Sequence, residues 1–293
     1  MNDILIAVIV LGGIGLVSAV VLFLCSKRFA VYEDPRIGEV SELLPGANCG
    51  GCGFAGCGGM AEALVKGADG GSLDGLSCPV GGAEVMTRVA DLLGMAIQNG
   101  APQVAVVRCG GTCELRPKVV QYGGLRTCNA MHACGAGESA CGYGCLGCGD
   151  CVAACQFDAI HINPETGLAE VDEDRCTACG ACTRACPRGI IELRRKGPKG
   201  RRVFVSCVNR DKGAAAMKAC KAACIGCGKC VKECQFGAIS LDGNVSYIDS
   251  EKCRLCRKCV DVCPTKAIHA VNFPAPKPKP EVVEPIINKE EEA

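Results

Sequence analysis

One cysteine spacing, C-x2-C-x2-C-x3-C, occurs four times in this 293-residue chain and constrains its fold more than any other feature. The run CLGCGDCVAACQFDAI begins at Cys145, and the nearly identical CIGCGKCVKECQFGAI begins at Cys224, 79 residues later. Repeated C-x2-C pairs in a long chain without an export signal are typical of metal binding, whereas dense disulfides are typical of short secreted scaffolds. With 28 cysteines and no tryptophan, the chain is expected to draw part of its folding free energy from bound metal.

Each cysteine run has the spacing of bacterial two-cluster ferredoxins. In that arrangement three cysteines of a run hold one 4Fe-4S cube and the fourth crosses to the neighbouring cube. The spacing therefore predicts four cubes, each with one crossed ligand. The predicted ligands are Cys145, Cys148, Cys151 and Cys186 for cluster 1; Cys176, Cys179, Cys182 and Cys155 for cluster 2; Cys224, Cys227, Cys230 and Cys263 for cluster 3; and Cys253, Cys256, Cys259 and Cys234 for cluster 4.

Structural zinc sites also use C-x2-C pairs, but they need only two pairs separated by a longer loop. Two consecutive x2 gaps followed by x3, repeated four times, favour iron–sulfur cubes. A zinc-stabilised interaction protein is the alternative of a different class, and iron with acid-labile sulfide would distinguish the two. We expect each pair of runs to form a compact α+β ferredoxin-like module with two short hairpins and two short helices, including strands at AIHI (159–162) and AISL (238–241).

A further cysteine run precedes the repeats. The segment NCGGCGFAGC places Cys49, Cys52 and Cys57 in C-x2-C-x4-C spacing, and Cys78 follows. Interleaved glycines let backbone N–H groups approach cluster sulfur. These four cysteines are predicted to hold a fifth cube, the amino-terminal cluster, with zinc again as the alternative. Two matches to G-x-G-x-x-G (51–56 and 142–147) do not join a strand to a helix, so they do not indicate a dinucleotide site.

Eight cysteines lie outside these ligand sets: Cys25, Cys109, Cys113, Cys128, Cys134, Cys141, Cys207 and Cys220. Cys128 and Cys141 recur 79 residues later as Cys207 and Cys220, so the repeat is expected to begin ahead of the ferredoxin motif, whereas Cys109 and Cys113 are expected to have no counterpart in the second copy. Free thiols or a disulfide are one interpretation of these residues. The other is a sixth cluster, for which the candidates are Cys109, Cys113, Cys128 and Cys141.

Residues 4–25 are uncharged and mostly apolar, and they are numerous enough to cross a hydrocarbon core of roughly 30 Å as a helix. No positive charge precedes them and no small-residue cleavage site follows, which argues against a cleaved signal peptide. Lys27 and Arg28 come directly afterwards, and the positive-inside rule then places the bulk of the chain in the cytoplasm. We therefore predict a single-pass anchor in the inner (cytoplasmic) membrane.

The predicted order along the chain comprises a transmembrane anchor (1–26), an N-terminal 4Fe-4S domain (33–100), a Cys-containing connecting segment (101–140), ferredoxin module 1 (141–195), a basic linker (196–219), ferredoxin module 2 (220–271) and a disordered tail (272–293). Residues 83–98 have helical spacing, and the tail is Pro-rich and charged. The basic segment RRKGPKGRR (194–202) is either a solvated hairpin or a landing patch for an acidic carrier protein. No aromatic or groove-reading motif accompanies it, so nucleic acid is not an expected partner.

The apolar segment, the NCGGCGFAGC run with Cys78, and the tandem ferredoxin motifs together resemble the B subunit of the Rnf complex, a membrane-bound ferredoxin:NAD oxidoreductase that couples electron transfer to sodium or proton movement. The resemblance covers residues 1 to about 270 of the sequence, and the two ferredoxin copies resemble the longer form of this subunit. It implies that soluble reduced ferredoxin docks on this chain, that electrons pass to other Rnf subunits in the membrane, and that NAD is reduced on another subunit.

The chain would then be the electron-transfer subunit of a translocating oxidoreductase, with five 4Fe-4S clusters or six and with no catalytic acid or base of its own. An iron–sulfur subunit of another membrane oxidoreductase or hydrogenase is the alternative within the same class.

Overall fold

The computed structural model describes residues 2–28, 34–96, 101–135 and 137–274, which form two compact units. The first unit comprises residues up to 48, 54–76 and 84–98, and the second comprises 49–53, 77–83 and the chain from 99 onward. The tail predicted from residue 272 lies outside the described residues, apart from its first three positions.

The first unit is helical. Its helices are α1 (Asn2–Arg28), α2 (Pro35–Leu43), α3 (Cys57–Asp69) and α4 (Gly82–Leu93), the last of which begins in residues of the second unit. Within α1, Val8–Arg28 is long and apolar enough to cross a membrane, and its apolar side chains are exposed. This agrees with the predicted membrane segment.

The small domain that follows α1 is held by apolar side chains from its three helices. Helix α2 begins after Asp34, whose carboxylate accepts the backbone N–H of Arg36 at 2.9 Å. Val40 of α2 and Leu64 of α3 are fully buried. Helix α4 ends at Leu93, earlier than the helix predicted over 83–98, because Gly94 adopts a left-handed φ of 66° and terminates the helix.

The second unit has a mixed α+β fold, and its described residues form eight strands in four two-stranded antiparallel sheets. Module 1 contains β1 (Gln103–Val107), α5 (Cys128–Cys134), α6 (Asp150–Ala153), β2 (Ile160–Ile162), β3 (Ala169–Val171), α7 (Ala181–Ala185) and β4 (Ile191–Arg195). Module 2 contains β5 (Arg202–Val205), α8 (Gly213–Ala219), α9 (Lys229–Glu233), β6 (Ile239–Asp242), β7 (Val245–Ile248), α10 (Lys258–Asp261) and β8 (Ile268–Val271).

Each module contains one hairpin instead of the two that we expected. Strands β2 and β6, at the predicted positions, pair with the following strands β3 and β7. The other sheet of each module pairs its first strand with its last, β1 with β4 and β5 with β8. The first strand of each pair lies inside the segments predicted as a connecting segment and a basic linker, where it supplies the partner for the last strand.

The two modules share apolar core residues. In β1, Val104 and Val106 are buried together with Phe204 of β5, while Ala105 packs into the core of module 1. Strand β1 is thus buried on both faces, which explains its continuous apolar sequence.

Candidate iron–sulfur sites

The four ferredoxin runs share one backbone conformation. Each tight loop has two residues at positive φ, which are Gly147 and Gly149, Ala178 and Gly180, Gly226 and Gly228, and Leu255 and Arg257. Glycine adopts this conformation freely, whereas the three larger residues each bear a cost of about 1 kcal/mol. The second left-handed residue is followed by a short helix in every run, and that helix carries the third cysteine, which is buried in all four.

Two cavities in module 1 are lined by cysteines of clusters 1 and 2. The first is lined by Cys145, Cys151, Cys186 and Cys128, among other residues. The second is lined by Cys155, Cys176, Cys179 and Cys182, among others. Each cavity includes the cysteine that comes from the other run, namely Cys186 in the first and Cys155 in the second. The fold therefore places Cys186 at the cavity of the first run and Cys155 at the cavity of the second run.

In module 2, the crossed cysteine of cluster 4 lies beside the last run. Burial raises the pKa of Cys253, and the sulfurs of Cys256 and Cys234 raise it further, so the crossed cysteine Cys234 lies beside the last run. Cys230 has the sulfurs of Cys224 and Cys227 as neighbours. Cys263, the crossed cysteine of cluster 3, is half-buried against the core of the same module.

The thiols at these sites are crowded and shielded from water. Burial and neighbouring sulfurs raise the pKa of Cys151 to about 12, that of Cys182 to about 11 and that of Cys259 to about 12. Such groups ionise at neutral pH only beside a compensating cation, and a coordinated metal supplies that charge.

Among the described residues, no group of three or more His, Cys, Asp or Glu side chains converges as closely as a single metal ion requires. The cavities in module 1 are lined by cysteine sulfur, a donor that both iron–sulfur cubes and zinc sites use.

One buried hydroxyl distinguishes cluster 3 from cluster 1. Ser246 of β7 lies with its Oγ 3.2 Å from the Sγ of Cys230 and 3.8 Å from the Sγ of Cys224. The strand registers pair Ile239 with Ile248 in module 2 and the equivalent Ile160 with Val171 in module 1. Ser246 precedes Ile248 by two residues, and the residue that precedes Val171 by two is Ala169. Module 1 therefore has at this position a side chain that cannot donate such a hydrogen bond.

The segment 49–53, which carries two cysteines of the amino-terminal cluster, packs against the loop of cluster 2. A Cβ atom at Gly51 would lie 2.8 Å from the carbonyl oxygen of Cys179, so only glycine allows this approach. The guanidinium of Arg184 donates to the carbonyl oxygen of Cys49 at 3.4 Å. Cys78 accepts the backbone N–H of Gly81 at 3.4 Å. The remaining cysteine of this set, Cys57, begins α3 in the first unit.

The structure does not bring the four candidates for a sixth cluster together. Cys128 lies at the cavity of cluster 1, where it interacts with Cys148. Cys113 is exposed, and its sulfur lies against Gly167. The other two candidates, Cys109 and Cys141, lie elsewhere, beside cysteines of module 2.

The structural counterpart of Cys207 is Cys109 and not Cys128. Each of the pair follows the first strand of its module by two residues. Each accepts a backbone N–H from the first cysteine of its module's ferredoxin run, Cys145 to Cys109 at 3.4 Å and Cys224 to Cys207. A fixed offset of 79 residues missed this equivalence because the connection from Cys109 to its run is longer. The sequence signal that could have found it is the match of VAVVRC to RVFVSC.

The basic segment 194–202 is not one exposed patch. Arg194 is 3% exposed; it donates to the carbonyl oxygen of Ile248 at 2.6 Å and pairs with Glu192. Arg202 is 5% exposed and pairs with Glu173. These two guanidinium groups join strands and modules, so they are not available to a partner.

Most cations of the segment, including the buried Arg194 and Arg202, line a cleft at the last ferredoxin run. Its lining includes Arg195, Lys196, Arg201, Arg254 and Cys253. Arg195 and Arg254 are exposed, and Cys253 is a predicted ligand of cluster 4. We call this surface the basic cleft. Its lining combines positive charge with a predicted ligand of cluster 4.

Family models match three parts of the chain. A model described as "4Fe-4S dicluster domain" matches residues 144–190 and again 223–267. A model described as "Putative Fe-S cluster" matches residues 44–70.

Similar curated proteins cover most of the chain. It is 46% identical over 268 residues to the B subunit of the Na(+)-translocating ferredoxin:NAD(+) oxidoreductase complex of Acetobacterium woodii, across 92% of this chain and 78% of that protein. It is 42% identical over 270 residues to the B subunit of the ion-translocating oxidoreductase complex of Methanosarcina acetivorans, across 92% and 99%. It is 40% identical over 273 residues to the B subunit of the proton-translocating ferredoxin:NAD(+) oxidoreductase complex of Clostridium ljungdahlii, across 92% and 94%.

Proposed function

Because this chain belongs to the family of B subunits of ion-translocating ferredoxin:NAD(+) oxidoreductase (Rnf) complexes, we propose that it takes electrons from reduced ferredoxin and relays them to other subunits of such a complex. The chain is a membrane-associated iron–sulfur electron-transfer subunit. The observation that carries the proposed relay is the meeting of crossed cysteines from paired runs around two neighbouring cavities.

The proposed ligands are the twenty cysteines of clusters 1 to 4 and of the amino-terminal cluster. Bound 4Fe-4S cubes supply one-electron oxidation and reduction. The residues of the chain hold the cubes, bury their sulfur and donate N–H groups to it, as Gly51 does to Cys49 at 3.5 Å and Ala159 does to Cys155 at 3.4 Å. For the amino-terminal cluster the support is the cysteine spacing and the match to an iron–sulfur family model.

The proposed docking site for ferredoxin is the basic cleft. Arg195, Lys199 and Arg254 are exposed cations in or beside it, and electrostatic steering by such groups raises the association rate of an acidic carrier. Bound there, the carrier would lie next to Cys253 and so next to cluster 4.

Neutralising Arg195, Lys199 and Arg254 to Gln tests this docking site. The rate of ferredoxin oxidation by the full complex should fall several-fold at low ionic strength and approach the parent rate in high salt, because exposed charges are screened over about 10 Å at 0.1 M. Neutralising Lys66, Arg88 and Arg126, which are exposed elsewhere, removes the same charge and serves as the control. Equal loss in both triple variants would refute a specific site.

The proposed orientation is a single-pass anchor with the second unit in the cytoplasm, since Lys27 and Arg28 follow the apolar stretch of α1. A tag at the carboxyl terminus should be cleaved by protease in inside-out membrane vesicles and protected in right-side-out ones. The reverse pattern would place the clusters on the other side of the membrane.

A further inference from the structure

Four cysteines outside every matched region converge where the two modules meet. They are Cys109, Cys141, Cys207 and Cys220, and none falls within residues 44–70, 144–190 or 223–267. Three of them share one buried core, with exposures of 5%, 8% and 6% for Cys141, Cys207 and Cys220. Cys109 is half-buried.

Contacts across the module boundary place these residues side by side. A Cβ atom at Gly111 would lie 2.9 Å from the Sγ of Cys220, so the segment after β1 lies directly on that sulfur. The backbone N–H of Gly110 donates to the carbonyl oxygen of Ser206 at 2.9 Å. From module 2, the Nδ2 of Asn209 approaches the Sγ of Cys141 to 3.8 Å. The two polypeptide segments therefore touch at the cysteines.

The four sulfurs interact electrostatically with one another. Burial raises the pKa of Cys220, and the sulfurs of Cys109 and Cys141 raise it further. Burial likewise raises the pKa of Cys207 to about 11, and the sulfur of Cys109 is among the neighbours that add to this. The pairs 109–220, 141–220 and 109–207 link all four sulfurs into one group.

The group has internal two-fold character. Cys109 and Cys207 are equivalent residues that follow the first strand of each module. Cys141 and Cys220 are equivalent as well, because each precedes the first ferredoxin cysteine of its module by four residues. Each module thus contributes the same two positions, which is the arrangement expected for a site shared between duplicated halves.

Two half-buried arginines accompany the sulfurs. Burial lowers the pKa of Arg188, while the sulfurs of Cys141 and Cys109 act to raise it. The guanidinium of Arg116 donates to the carbonyl oxygen of Cys145 at 2.5 Å and acts on Cys220. Neutral thiols or disulfides need no such cations, whereas four thiolates around an iron–sulfur core carry net negative charge, and burying that charge requires compensation.

From this convergence we propose a sixth 4Fe-4S cluster, the bridging cluster, held by Cys109, Cys141, Cys207 and Cys220. It goes beyond the five proposed cubes and rests on the proposed iron–sulfur function of the chain. Two of its sulfurs receive backbone hydrogen bonds from Cys145 and Cys224, the first ligands of clusters 1 and 3. The bridging cluster would therefore carry electrons from one module to the other.

The test is the iron and acid-labile sulfide content of the full chain, assembled anaerobically with its clusters. The parent should contain about 24 of each per chain, since each cube holds four. The variant Cys141→Ser/Cys220→Ser should lose about four of each, together with one cluster's share of the reduced electron paramagnetic resonance signal. The control Cys113→Ser/Cys134→Ser, at exposed cysteines outside the group, should lose none.

The comparison of parent and variant separates this proposal from the five-cluster assignment. A parent iron count below about 20 would question the five cubes, while the difference between parent and variant still tests the sixth. An iron content that is the same in the variant as in the parent would overturn the bridging cluster. It would also be overturned if the parent contained about one zinc ion per chain and the variant contained none. If the double variant loses all its iron, Cys109→Ser, at the least buried ligand, provides the same comparison. If Cys109→Ser also loses all its iron, the iron content of the parent decides the question. About 24 iron atoms per chain would support the bridging cluster, and about 20 would contradict it.

Discussion

The buried hydroxyl of Ser246 should raise the reduction potential of cluster 3. A hydrogen bond from its Oγ to cysteine sulfur stabilises negative charge, and the reduced cluster carries one more electron than the oxidised cluster. The hydroxyl therefore favours the reduced state. Ser246→Ala should lower the potential, and it should leave packing nearly unchanged because only one buried oxygen atom is removed.

The magnitude follows from the geometry. The approach to Cys230 at 3.2 Å is close for a hydrogen bond to sulfur, and that to Cys224 at 3.8 Å is weak, so about one hydrogen bond is lost. A bond to a charged group contributes about 1.5–3 kcal/mol, and because both redox states are anionic we take about 1 kcal/mol as the difference between them. For a one-electron couple, 59 mV corresponds to about 1.4 kcal/mol, which gives a shift of about 40 mV to lower potential.

The measurement is a redox titration of the purified full chain followed by electron paramagnetic resonance. The reciprocal variant Ala169→Ser is the matched control, since it places a hydroxyl at the equivalent position beside cluster 1 and should raise the potential of that cluster by a similar amount. A shift below about 10 mV in Ser246→Ala, or a shift upward, would refute the assigned role of the hydroxyl.

Three further changes test other contacts. Cys186→Ser should damage cluster 1 and spare cluster 2, while Cys155→Ser should do the reverse; spectroscopic loss at the cluster of the mutated residue's own run would contradict crossed ligation. Gly51→Ala should lower the free energy of local opening of segment 49–53 by about 1–3 kcal/mol, which would be measured as faster amide exchange in that segment. Gly58→Ala, whose added Cβ atom meets nothing within 4 Å, should leave the exchange there unchanged. Glu173→Gln should lower the thermal midpoint by several degrees, about 1–3 kcal/mol, because Glu173 pairs with the buried Arg202. Arg202 holds the pKa of that carboxyl below its usual value, so its contribution is complete above the unfolded pKa and is lost only as pH falls through the folded pKa. The difference in thermal midpoint between the parent and Glu173→Gln should therefore be constant from about pH 8 to 5.5. A difference that disappears already near pH 6 would contradict the pairing.

The ferredoxin modules could be predicted from the sequence because their information is local. A run such as Cys145 to Cys155 places its first three cysteines within a single loop and one helical turn, so their spacing alone brings these three sulfurs close together. The strands at AIHI and AISL were predicted correctly for the same reason, since each follows its loop directly.

Long-range pairings could not be read from spacing. Strand β1 pairs with β4 across the whole of module 1, so its residues appeared to belong to a connecting segment. The equivalence of Cys109 and Cys207 was hidden by the longer connection in the first copy. Likewise, Arg194 and Arg202 look like solvated charges in a basic run, yet distant partners, Ile248 and Glu173, bury them between strands.

The contacts arrange the proposed clusters in one order. The basic cleft reaches cluster 4 through Cys253, and cluster 4 neighbours cluster 3 through Cys259 and Cys230. Backbone hydrogen bonds join the first ligands of clusters 3 and 1 to the bridging cysteines. Clusters 1 and 2 exchange ligands, and the loop of cluster 2 meets the amino-terminal run at Gly51. Because electron transfer slows steeply with distance, two copies of a two-cluster ferredoxin that merely touched could conduct poorly at their boundary. A shared site built from one equivalent pair of cysteines in each copy would remove that weak point, and the duplication would then extend a single conductor from the cleft to the loop of cluster 2 beside Gly51.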